Sequence, residues 1–110
     1  MTLPNAGRAV VDIAKLREYC LNPNHPWGRH KARVFASALG LTQDDADVLR
    51  EALLSAAVKS DARKGDKDDH GQRYILDFQM AGPAGEAMVR SSWIVLKGED
   101  IPRLTSCYVL

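Results

Sequence analysis

At about residue 72 the apolar spacing of this chain changes from helical to alternating, and that switch limits the fold more than any other feature. Before it, Ile13, Leu16 and Cys20 keep helical spacing. Ala32, Phe35, Ala36 and Leu39 make a second stripe, and Ala46, Leu49, Leu53 and Ala57 a third. After it, Tyr74, Leu76, Phe78 and Met80 alternate with Arg73, Ile75, Asp77 and Gln79. Ala87 to Leu96 reads as a second strand, with Ala87, Val89, Ser91, Trp93 and Val95 on one face. Arg103 to Val109 reads as a third. Helices first and a meander afterwards spell α+β rather than a parallel α/β sheet. The expectation is three helices over residues 12–58 packed on one face of an antiparallel sheet over 72–109. Tyr74, Leu76 and Phe78 should face Phe35, Leu39, Leu49 and Leu53.

Boundary residues support this reading. Asp12 suits an N-cap, and a helix stops before Asn22-Pro23 because a residue preceding proline avoids the helical region. Gly40 ends the second helix, and Thr42 with Asp45 resembles a capping box at the start of the third. Lys59 to Gly71 carries charges and no large apolar side chain, so residues 59–71 are expected to be a mobile loop.

With 110 residues the chain has room for one domain. No apolar run approaches the ~20 residues of a membrane helix, and no signal peptide opens the chain, so a cytoplasmic protein is expected. The net charge of +1 hides an asymmetry. Residues 1–40 are net +4, residues 41–72 net −3 and the remainder neutral. Charge alone demands no nucleic-acid partner. Cys20 and Cys107 fit neither a C-x-x-C nor a Cys–His zinc spacing and read as buried free thiols. Phosphate-binding glycine loops, G-x-S-x-G and H-E-x-x-H are all absent, which argues against nucleotide cofactors; neither cofactor nor metal is expected.

Two polar groupings stand out. His25-Pro26-Trp27-Gly28-Arg29-His30-Lys31-Ala32-Arg33 lies where a stiff loop meets a helix start, a place suited to an anion. The same residues are equally the makings of a turn and a solvated helix face. The second grouping is Arg90 and Ser92 mid-strand, with Arg103 and Thr105 on the next strand. Arg90 either pairs with Asp77 or points into a phosphate groove.

The run Leu21-Asn22-Pro23-Asn24-His25-Pro26-Trp27-Gly28-Arg29-His30-Lys31-Ala32-Arg33-Val34-Phe35 with Leu39-Gly40 resembles the L-N-x-x-H-P-x-G-x-x-K-A-x-x-F…L-G signature of a bacterial family catalogued as a domain of unknown function. His70 to Tyr74, Val89 to Trp93 and Arg103 to Tyr108 resemble its strand motifs. Similar domains occur as small stand-alone proteins and as the last module of polymorphic toxins. Their helices-then-sheet order resembles the barnase–EndoU–colicin–RelE ribonucleases, a fold-level analogy.

The resemblance implies a metal-independent endoribonuclease with a cognate antitoxin or immunity-type partner. It carries patterned polar roles onto His25, Lys31, Arg90 and Thr105. His25 would act as base or acid, Lys31 and Arg90 would stabilise the phosphorane, and Thr105 would bond a phosphate oxygen. Arg29, His30, Trp27, Trp93 and Arg103 would contact RNA. Lys31 and Arg90 would then share one phosphate site. Ser91 stands where relatives often have threonine, and the low charge points to free RNA or tRNA rather than the ribosome. The alternative from the residues themselves is a non-catalytic binding or interaction module.

Overall fold

The computed structural model describes residues 1–110. Helix α1 comprises an α-helical turn, Ile13–Lys15, and a wider π-helical stretch, Leu16–Cys20. Asp12 caps it, its carboxylate accepting the Ala14 N–H at 3.0 Å. Helix α2 is built the same way from Arg29–Val34 and Phe35–Leu39, and Gly40 ends it with φ 73°. A 3₁₀ turn, Gln43–Asp45, leads into α3, Ala46–Lys59. The Asp45 carboxylate accepts the Thr42 N–H at 2.9 Å, so the capping signal is realised.

Four strands follow: β1 (Arg63–Asp68), β2 (Gly71–Gly82), β3 (Gly85–Leu96) and β4 (Pro102–Val109). They pair in chain order, each antiparallel to the next. Val10 adds a parallel bridge to Arg103 on the outer edge of β4.

The fold is therefore α+β, with three helices ahead of an antiparallel meander. The helical stripes put Leu16, Cys20, Phe35, Leu39, Leu49 and Leu53 in one fully buried cluster with Leu76, Val89, Trp93 and Cys107. Burying each large apolar side chain of this kind contributes about 1.5–3 kcal/mol. Tyr74 and Phe78 join the same core from β2. No helix is long and apolar enough to cross a membrane.

The structure corrects one stretch. Residues 59–71 hold the end of α3 and the whole of β1 rather than a mobile loop. Strand β1 is exposed along nearly its whole length, so it shows no alternation to read. Lysines and aspartates on an edge strand also discourage pairing with other chains.

Strand β4 is irregular at one residue. Ser92 pairs with Ser106 but Trp93 pairs with Leu104, so Thr105 is an extra residue in the ladder.

Candidate functional site

The loop after α1 is held by its own side chains. The Asn22 carboxamide accepts the Asn24 N–H at 2.9 Å and donates to the Glu18 carbonyl at 3.1 Å. His25 Nδ1 accepts two backbone N–H groups, from Trp27 at 3.1 Å and Gly28 at 3.0 Å. A ring nitrogen that accepts carries no proton, so the proton sits on Nε2. The ring meets Tyr19 edge-on at 4.8 Å between centroids. Gly28 lies on the Tyr19 backbone carbonyl, where a Cβ would have no space. Only glycine lets the loop close on α1 in this way. Trp27 is 80% exposed, with its ring centroid 5.9 Å from that of His25.

Lys31, in the first turn of α2, reaches back to the same place. Its ammonium donates to the Tyr19 hydroxyl at 3.1 Å and to Ser106 Oγ at 3.2 Å. It lies 4.9 Å from the Tyr19 ring centroid and 5.7 Å from that of Tyr108. Cys20 and Cys107 are free and fully buried close by. A hydrogen bond from the Cys107 thiol, with help from the Lys31 charge, lowers the Cys20 pKa to about 7. Its partner moves the other way: the bond to Cys20 and burial push Cys107 up.

Thr105, the bulged residue of β4, donates to the Ser92 carbonyl at 3.0 Å. It shares an open hollow of about 570 Å³ with Asp12, Lys15, Glu18, Tyr19 and His25. Asp12 is used as the α1 cap. The Lys15 ammonium touches the Leu104 carbonyl at 3.5 Å. Glu18 lines the hollow, and its carboxylate makes no ion pair.

Two of the expected residues, His25 and Thr105, thus share one hollow. Lys31 stands behind it, bonded to Tyr19. Arg90 takes the first of its two alternatives. Its Nε and Nη2 donate to the two Asp77 carboxylate oxygens at 2.8 and 2.9 Å. That bond raises the Arg90 pKa and holds Asp77 below the usual carboxylate range. Both Lys31 and Arg90 neighbour Tyr108. The guanidinium is nevertheless committed to Asp77, so the expected shared phosphate site does not form.

Trp93 also needs correction. It is fully buried, and its Nε1–H donates to Ser91 Oγ at 2.9 Å, which leaves no ring face for a base. Arg103 is engaged with Glu99 at 3.0 and 3.3 Å. Arg29 and His30 lie exposed on α2. Sequence reasoning missed Lys15, Glu18 and Tyr19. The signal was their spacing of three and four residues on α1, which puts them on one helix face. No group of three or more His, Cys, Asp or Glu side chains is arranged to hold a metal ion.

A family model described as "Domain of unknown function (DUF6883)" matches residues 2–110. No curated protein matches the chain. Among solved structures, it is similar to a chain of a contact-dependent growth inhibition toxin–immunity protein complex from Klebsiella pneumoniae 342. The TM-score is 0.71 at 20% identity, over 92% of this chain and 99% of that one. At that identity the likeness is one of fold.

Proposed function

We propose that this chain, which belongs to the DUF6883 family over residues 2–110, is a toxin-type domain that cleaves RNA at the hollow between His25 and Thr105. One observation carries the reading. His25, Tyr19, Lys15, Glu18 and Thr105, from α1, its following loop and β4, converge on one hollow. Lys31 bonds the Tyr19 hydroxyl at its wall. The match in fold to a chain from a toxin–immunity complex agrees with this class of function.

The geometry divides the chemical work. His25 cannot take a proton on Nε2 while Nδ1 accepts two N–H groups, so it serves as a fixed Nε2–H donor to a phosphate oxygen. The base role falls to the unpaired carboxylate of Glu18. Glu18 takes the proton of a ribose 2′-OH, and the 2′-oxygen bonds to phosphorus. The P–O5′ bond breaks, and the leaving 5′-oxygen takes a proton from the Lys15 ammonium. The products are a 2′,3′-cyclic phosphate and a 5′-hydroxyl. The cation of Lys31 holds the phosphate from the β4 side, while Thr105, whose hydroxyl proton goes to the Ser92 carbonyl, shapes the wall rather than bonding a phosphate oxygen.

Incubation of the purified protein with total RNA, with and without EDTA, tests this. Cleavage that survives EDTA and falls steeply in His25→Asn and Glu18→Gln supports it, and intact RNA at high protein concentration overturns it. A second reading, a non-catalytic interaction module, is favoured by a separate observation: Arg90 and Arg103 are both committed to carboxylates. In either reading an immunity-type partner with an acidic surface would cover Arg29, His30 and Arg33, the exposed basic face of α2.

A further inference from the structure

A second hollow, of about 370 Å³, lies beyond Thr105 on the sheet, within the size range of small-ligand sites. Asp66, Arg73, Ile75, Ser92, Thr105 and Ser106 line it. We infer that it holds the nucleoside next to the scissile phosphate, so that an RNA strand crosses β4 at Thr105. The inference rests on the RNA-cleaving reading above and adds to it a binding subsite for the substrate.

Three observations link the hollows. Thr105 lines both of them. Lys31 bonds one wall residue of each, Tyr19 in the first and Ser106 in the second. A single cation therefore stands behind the ridge that separates them, where a bridging phosphate would sit. The bulge supplies the third link, because an extra residue bends β4 at the point where the two hollows meet.

The lining suits a nucleoside. Ile75 offers apolar surface against which a base can lie, while the Ser92 hydroxyl and the Asp66 carboxylate can meet ribose or base donors. At the far end Arg73 is paired with Asp68 at 3.2 Å and Arg63 with Asp77 at 3.7 Å, so the rim of the hollow is charge-balanced. Strand β1 is itself irregular between Lys64 and Lys67, the stretch that faces this hollow with Gly65 and Asp66.

Amide NMR of the full chain tests the inference with two probes. Inorganic phosphate should shift His25, Thr105 and Ser106. A mixed-sequence DNA tetranucleotide, which lacks the attacking 2′-OH, should shift these and also Gly65, Asp66, Ile75 and Ser92. The Ser92→Leu variant, which fills the hollow, should raise KM for RNA about tenfold with little change in kcat or thermal midpoint. The Gly65→Gln variant provides a second plug that leaves β4 untouched. If the tetranucleotide shifts only His25, Thr105 and Ser106, and both plugged variants cleave like wild type, the subsite is wrong while RNA cleavage stands. If neither probe shifts any amide and RNA stays intact, the cleavage reading falls and the subsite with it.

Discussion

Arg90 grips Asp77 directly across the β2–β3 ladder, with both carboxylate oxygens engaged at 2.8 and 2.9 Å and neither side chain more than a third exposed. Arg63 adds a third charge at 3.7 Å. The pair closes the open face of the sheet where a free arginine would have made an anion site.

The acid stability of the protein should follow from this pair. Arg90 depresses the folded pKa of Asp77. The stabilisation is therefore complete above the unfolded carboxylate value of about 3.9 and is lost as pH falls through the lower folded value. Urea midpoints measured between neutral pH and acid should fall for the wild type, and less steeply for Asp77→Asn. Arg90→Gln should lower the midpoint at neutral pH yet cleave RNA within about twofold of wild type. A loss comparable to that of His25→Asn would return Arg90 to the site.

Two replacements of His25 should separate its structural role from its chemistry. Asparagine can place an acceptor near the Nδ1 position and keep the Trp27 and Gly28 N–H groups bonded, but it has nothing at Nε2. His25→Asn should thus melt near the wild type while cleavage falls about 10²–10³-fold. His25→Ala should lose activity and, in addition, about 1 kcal/mol of stability from the freed backbone donors. Calorimetry beside initial cleavage rates reads both effects.

Lys31→Met keeps an apolar stem between the Tyr19 and Tyr108 rings and removes both hydrogen bonds. Cleavage should fall about 10²-fold. The Cys20 thiol should titrate above its present value of about 7, because one of the influences lowering it is the Lys31 charge. The rise should be partial, since the larger influence, the Cys107 hydrogen bond, stays. Thiolate absorbance in a pH titration measures it, and an unchanged midpoint would separate Lys31 from the thiol pair.

Ser91 serves the core. Its hydroxyl donates to the Leu76 carbonyl at 2.7 Å and accepts the Trp93 indole N–H, all within the buried core. Ser91→Ala should strand that N–H and cost about 1–3 kcal/mol, read as a lower urea midpoint with RNA cleavage retained.

The helices were legible because Leu16, Phe35, Leu39, Leu49 and Leu53 repeat at helical spacing and because Asp12, Gly40 and Thr42 mark the ends. Strand β1 was hidden since Arg63–Asp68 buries no side chain and so leaves no periodic trace. Half of the site was legible as composition: a histidine–tryptophan–glycine loop before a basic helix. The rest depends on contacts between distant parts of the chain. Nothing local says that Tyr19 lies between His25 and Lys31, or that Ser106, 75 residues from Lys31, completes the lysine's bonds. Arg90 was open between two fates because cross-strand register decides its partner, and register shows only once the β2–β3 turn is fixed at Pro83 and Ala84.

In β4, Pro102, Leu104 and Cys107 are all buried although 104 and 107 differ by an odd number. A regular strand would send those two to opposite faces. The extra residue resolves the mismatch, and removing it would leave Leu104 and Cys107 two apart, on the same face, with an unbroken ladder. A chain lacking Thr105 should therefore fold into the same sheet, at least as stably, with its ridge flattened and its two hollows merged. The fold carries one residue more than its architecture requires. That surplus position is where mutational tolerance measured by folding and tolerance measured by activity should diverge most sharply along the whole chain.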